Sequence, residues 1–157
     1  MTPTEQFIQT LESLKAGDLG RLRNHAGLPL DESVDGFDLF AGIWWPLRQK
    51  NQSAPRREVA WLIAKLYAFC PLPQVCRATL AGQLGKLDER ARTRHEQRFD
   101  NMLLLPLAQI ESALRWALTL IAGGNGLDWV QLADDLSIWE REGTRLKWAK
   151  DFLGLAC

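Results

Sequence analysis

Apolar side chains recur three and four apart along nearly the whole of this chain, and nowhere does apolar/polar alternation persist among β-branched residues. That spacing returns side chains to one face of a helix and denies a strand its period of two. Phe7, Ile8, Leu11 and Leu14 set the pattern, and Ile110, Leu114, Ala117, Leu118 and Ile121 repeat it. Proline and glycine break it at intervals too short for long helices. The pattern predicts an all-α protein, a compact bundle of about eight short helices.

Caps and breakers set the expected boundaries. Thr2 or Thr4 caps a first helix with Pro3 in its first turn, and Gly17 ends it. Asp18 caps a second helix, 19–26, closed by Gly27. The stretch 31–46 contains a third, through Phe37, Phe40 and Ile43, that ends at Trp44-Trp45-Pro46, and 47–54 is an acid-free loop carrying Arg48 and Lys50. Pro55 opens the next helix, apolar on most of its circumference through Val59, Trp61, Leu62, Ala64, Leu66, Tyr67 and Phe69. It is the expected central core helix, and Pro71 stops it. A small helix at 75–84 leads through Gly85 into a basic stretch, 86–98. Another helix carries Phe99, Met102, Leu103 and Leu104, and Pro106 kinks it or begins its successor. Gly123-Gly124-Asn125-Gly126 is a helix-ending turn; it lacks the preceding strand and following Lys-Ser/Thr pair of a phosphate cradle. Asp128 caps a helix with apolar Leu127, Trp129, Val130, Leu132, Leu136 and Trp139. The last helix turns Leu146, Trp148, Ala149, Phe152 and Leu153 inward. No internal repeat or low-complexity linker divides residues 1–157, which read as one domain. Within it an N-terminal lobe, 1–71, and a C-terminal lobe, 86–157, would hinge near Pro71-Leu72-Pro73.

The 157 residues, 46% of them hydrophobic, suffice for one sizeable core. No apolar run approaches the ~20 residues that span a bilayer. Met1 to Glu12 carries acids in a helical pattern and does not read as a signal peptide. Cys70, Cys76 and Cys157 find no second cysteine pair or nearby histidine to complete a zinc set, so reduced thiols in a cytoplasmic protein are expected, and no cofactor. Asp134, Asp135 and Glu140 are close in sequence. Helical neighbours diverge by about 100°, however, so the two aspartates do not readily share a site. Solvated helix faces and pairs with Arg141 or Arg145 explain these acids better than catalysis, and no enzyme activity is expected. His95 has no Ser, Cys or Asp partner at a catalytic spacing and reads as a surface residue. His25 suits the negative end of a short helix.

The net charge of zero hides an asymmetry: 1–40 carries −4, 41–127 carries +6 and 128–157 carries −2. Arginine outnumbers lysine thirteen to six, which favours planar, bidentate phosphate contacts. Arg56 and Arg57 fall at a helix N-terminus, where backbone donors already favour phosphate. Arg21, Arg23, Arg94, Arg98 and Arg115 lie mostly on polar helix faces. Brought together, such residues would track a nucleic-acid backbone with little sequence preference. Of seven tryptophans, Trp129, Trp139 and Trp148 fall at inward positions. Trp44-Trp45, beside the basic loop, is the best placed to stack on bases, although core or interface roles suit that pair better.

Leu127-Asp128-Trp129 through Leu136 and Trp139, followed by Trp148-Ala149-Lys150-Asp151-Phe152, resembles the C-terminal signature of the CasB family. That family supplies the small subunit of Cascade, the type I-E CRISPR surveillance complex. Gly17-Asp18-Leu19-Gly20-Arg21-Leu22-Arg23 resembles the family's entry motif. Pro55-Arg56, Gln97-Arg98-Phe99 before Leu103-Leu104, and Leu114-Arg115 follow in the expected order. Two departures stand out. Leu105-Pro106-Leu107 replaces an Ala-Asp-Arg-like step, and Glu140 and Glu142 lie near positions that can be basic.

The resemblance implies a non-catalytic helical subunit present as two copies stacked head to tail in the complex. Its partners would be the large subunit, the backbone subunits, the guide RNA and the target and displaced DNA strands, with no membrane involved. Base pairing would read sequence while the protein holds backbones. Carried over by position, Arg23, Arg56, Arg98 and Arg115 are the first candidates for nucleic-acid contact, and Arg21, Arg57, Arg94 and Arg145 the second. Two other classes fit the residues less well. One is a helix-turn-helix regulator built from 128–139 and 141–152, whose second helix would offer few base-edge readers. The other is a protein-interaction bundle whose basic middle segment binds an acidic partner.

Overall fold

A computed structural model describes residues 2–24, 34–51 and 53–154, with only the backbone described over 34–39. Within them run α1 (Pro3–Glu12), α2 (Ala16–Arg23), α3 (Val34–Lys50), α4 (Arg57–Phe69) and α5 (Leu80–Gly85). They are followed by α6 (Glu89–Leu103), a 3-10 turn (Leu107–Gln109), α7 (Glu111–Ile121), α8 (Trp129–Ser137) and α9 (Glu142–Leu153). The described residues form no strand, so the protein is all-α as its periodicity dictates.

Helix α4 occupies the centre. Every residue from Val59 to Ala68 is buried, and α2, α3, α7 and α8 pack around it. Helix α1 lies against α3 and α8, while α5 packs on α9 and α7. One apolar core runs from Phe7 on α1 to Phe152 on α9. Two predicted caps are present. Thr2 and Glu5 form a reciprocal capping box on α1, and the Asp128 carboxylate accepts the Gln131 amide at the start of α8.

Several boundaries differ from expectation, each for a local reason. Helix α2 begins at Ala16, so Asp18 lies in its first turn, where the helix dipole favours an acid, and Gly17 is helical. The expected stop at Gly27 lies outside the described residues, as do His25 and Cys157. Helix α3 continues through Pro46 to Lys50. Proline strips the Gly42 carbonyl of its donor, but Gly42 and Pro46 are both exposed, so water reaches it. On either side of the proline the helix is tied down, by Trp44 Nε1 donating to the Pro55 carbonyl (2.7 Å) and Arg48 Nη1 to that of Ala54 (2.6 Å). Pro55 consequently precedes α4 without entering it, and Arg56 is the N-cap.

The helix expected at 75–84 starts only at Leu80, because the preceding backbone is spent on a clip. The Val75 amide donates to the Leu127 carbonyl and the Leu127 amide to that of Pro73, each at 3.0 Å. Asp128 N–H reaches the Ala78 carbonyl at 2.8 Å. Arg77 takes a positive φ of 69°, held by its amide on Asp128 Oδ2 at 2.9 Å. Gly126, at φ 152°, closes the clip; a β-carbon there would meet Val75 Cγ2 at 2.5 Å and the Pro73 carbonyl at 2.6 Å. The basic stretch and the Phe99 segment are one helix, α6, capped by Asp88. On α9, Thr144, Trp148 and Phe152 face inward, whereas Leu146 and Leu153 are more than half exposed, against expectation. The inward residues repeat every fourth position, and Leu146 and Leu153 share another face.

Candidate nucleic-acid interface

The three C-terminal tryptophans are buried, and each indole N–H has a specific acceptor. Trp129 donates to the Leu72 carbonyl in the proline connector at 2.7 Å and Trp139 to that of Leu105 at 2.8 Å. Trp148 donates to Asp135 Oδ2 at 2.8 Å. Trp139 and Trp148 also meet edge to face, with centroids 4.9 Å apart. These rings fix where α8 and α9 sit, and so where basic side chains emerge around them.

Arg56, the N-cap of α4, sends Nη1 to the Ser137 carbonyl at 3.2 Å and lies 3.6 Å from Glu58. It thereby satisfies a carbonyl at the C-terminal end of α8, where a cation is favoured. Arg57, beside it, is exposed. Arg145 donates to the Leu105 carbonyl and to Glu140, both at 3.3 Å, and lies over the Trp139 ring at 5.6 Å. Arg56 and Arg145 therefore both brace the α8–α9 region. Arg98, from α6, rests on α7, the helix that carries Arg115. The Arg98 guanidinium lies 4.6 Å from the Trp116 ring centre, and His95 meets the same ring edge-on. Arg115 is half-buried, its Nε out of water without a hydrogen-bond acceptor. Arg94 projects exposed from α6, on one stripe with Arg90 and Arg98. Arg21 and Arg23 are exposed on the last turn of α2, with Asp18 3.9 Å from Arg21.

The acids are committed to structure. Buried Asp135 receives Gln131 Nε2 (2.8 Å), Lys147 Nζ (3.3 Å) and the Trp148 indole. Asp134 accepts the Thr4 hydroxyl at 3.0 Å. Crowding by protein pushes its pKa up, the Thr4 hydrogen bond opposes this, and Asp135, Asp128 and Glu5 add to the rise. Glu140 pairs with Arg145, as expected, and accepts the Leu107 amide at 3.2 Å, whereas the two aspartates use other partners. The Leu105-Pro106-Leu107 step is thus wired into the α8–α9 turn.

His95 is half-buried, Cys70 half-buried and Cys76 exposed, both thiols free. Burial raises the Cys70 thiol, which disfavours the reactive thiolate. Among the described residues no group of three His, Cys, Asp or Glu side chains is placed to hold a metal ion, and no helix is long and apolar enough to cross a membrane. Sequence reasoning misses Trp116 as the seat of Arg98. Its position next to Arg115 is visible in sequence, but its contact with α6 depends on tertiary packing.

These features define an all-helical protein in which a buried and a half-buried tryptophan seat Arg145 and Arg98, and other arginines stand exposed on its helices. The chain belongs to the Cse2 family of CRISPR-associated proteins: the family model "CRISPR-associated protein Cse2" matches residues 18–153. Its fold is similar to that of TTHB189, a CRISPR-associated protein of the Cse2 family from Thermus thermophilus. That match has a TM-score of 0.78 and 26% identity, covering 98% of this chain and 99% of the other. It is similar also to CasB from Thermus thermophilus (TM-score 0.76, 27% identity, 98% and 99% covered). CasB of M. ruber matches with TM-score 0.74 and 25% identity, over 97% of this chain and 93% of the other. No curated protein matches.

Proposed function

We propose that this chain is the non-catalytic small subunit of a type I-E Cascade complex. In that role it contacts nucleic-acid backbones and stabilises both the guide RNA–target duplex and the displaced strand. The observation that carries the reading is the family match over 18–153, joined to likeness of fold with two CasB proteins along almost the whole chain. Its partners would be the large and backbone subunits, the guide RNA, both DNA strands and a second stacked copy, all in the cytoplasm.

The arginines support this division of labour. Arg23, Arg57, Arg94 and Arg98 are exposed, the last with its guanidinium over the Trp116 ring. Arg56, Arg115 and Arg145 are partly engaged within the fold and can contribute field as well as contacts. Exposed cations of this kind bind phosphate without reading sequence. The expected result is weak binding of the isolated chain to single-stranded and duplex DNA of arbitrary sequence, measured by anisotropy as salt is raised. Joint Arg57→Ala and Arg94→Ala substitution should weaken binding evenly across sequences and lower the salt slope by about 2. A footprint on one palindromic sequence would instead favour a regulator reading DNA through α8 and α9. No binding at any salt would favour a protein-interaction bundle.

A further inference from the structure

Trp45 has no place in the core. It is 50% exposed, whereas Trp61, Trp129, Trp139 and Trp148 are buried and Trp44 and Trp116 half-buried. Its position is nonetheless defined. Neighbouring Trp44 stacks on Phe40 at 5.4 Å with ring planes 10° apart, and its indole N–H is anchored on Pro55. Trp45 leans on Trp44 with centroids 5.8 Å apart. Pro46 follows and fixes the backbone dihedral beside it. An exposed indole is thus mounted on a braced aromatic stack.

Along the sequence the charge beside it is basic up to Glu58, which lies 3.6 Å from Arg56. No acid occurs between Asp38 and Glu58, while Arg48, Lys50, Arg56 and Arg57 fall in that interval. The two ends of the interval are joined in space, since Trp44 and Arg48 both donate to the Ala54–Pro55 backbone that leads directly into Arg56 and Arg57. Arg56 is turned to Ser137 and Glu58 and Arg48 to the Ala54 carbonyl, which leaves Lys50 and Arg57 exposed on the segments joined here. An exposed π-face on a basic segment is suited to an unpaired nucleotide: the base stacks while the phosphates are neutralised. A duplex, with its bases already stacked, gives the indole nothing to hold.

Resting on the reading above, we infer that Trp45 is a base-stacking platform for unpaired nucleotides of a single strand, with Lys50 and Arg57 flanking its phosphates. The site would favour single-stranded over duplex nucleic acid without favouring any base.

The test measures binding of the full-length chain to a fluorescent oligothymidylate, to a duplex of equal length, and to the same single strand carrying abasic sites throughout. Trp45→Ala should weaken oligothymidylate binding about tenfold, within the range known for base–aromatic stacking. It should leave duplex and abasic binding unchanged, and Trp45→Phe should recover most of the loss. The salt slope should stay the same in Trp45→Ala, because no phosphate contact is removed, but fall in Lys50→Ala. Unchanged melting temperatures would confirm that both Trp45 variants fold. Equal loss on intact and abasic strands, or no loss at all, overturns the platform and leaves Trp45 as a contact for another protein. If the wild-type chain binds none of the three ligands, the failure lies with the nucleic-acid reading itself, and the platform falls with it.

Discussion

Trp148 and Trp129 are both buried, yet they bond to unlike acceptors, a carboxylate and a neutral carbonyl. Replacing either by phenylalanine removes the donor and part of a ring. Trp148→Phe also withdraws one of three donors from the buried Asp135 charge, so it should cost about 3 kcal/mol against about 2 for Trp129→Phe. Urea unfolding of both variants checks the order; a larger loss for Trp129→Phe would contradict the assigned hydrogen bonds. Asp134 gives a prediction in pH. Its pKa is raised in the folded protein, so folding binds the proton more tightly. The stability this brings is present below the ordinary carboxylate range and is lost as pH rises through the raised value. Asp134→Asn keeps an acceptor for Thr4 and removes the charge. It should raise the thermal midpoint at neutral pH and give no gain in acid below about pH 4. An equal gain at both pH values would show that charge is not the cause.

Among the elements, α4 exposes the limits of pattern. Its apolar circumference correctly marks it as the centre, but that same circumference contains Lys65, 5% exposed and paired with Glu111 of α7 at 2.5 Å. Burial lowers the Lys65 pKa and Glu111 partly restores it. Glu111→Ala should cost about 3 kcal/mol by removing the carboxylate that offsets a buried cation, whereas Lys65→Met combined with Glu111→Leu should return near wild-type stability. If the double variant is as unstable as the single one, Lys65 owes its place to other contacts. Ends of helices were legible where a side chain caps its own helix, as Thr2 and Asp128 do. They were illegible where tertiary bonds decide. Trp44 and Arg48 carry α3 through Pro46, and the clip to Leu127 unwinds residues before Leu80.

At the scale of the molecule, the all-α architecture and the buried tail tryptophans were readable because both follow from a 3.6-residue period. The candidate interface was readable only as a set of residue types. Nothing in the spacing of Arg98 and Trp116, or of Arg56 and Ser137, announces contacts between α6 and α7 or between α4 and α8. The sequence marks arginines, and packing decides which remain available: Arg23, Arg57, Arg94 and Arg98 reach solvent, while Arg115 and Arg145 are half-buried. The most direct test of the proposed role uses the assembled complex. Target-strand opening would be followed by permanganate reactivity of the displaced strand, with the wild-type chain, without it, and with Arg23, Arg57, Arg94 and Arg98 all changed to alanine. Opening should fall several-fold in the variant and further without the chain, most steeply at high salt, while the variant still assembles. Opening equal to wild type by the quadruple variant at every salt concentration would contradict the account.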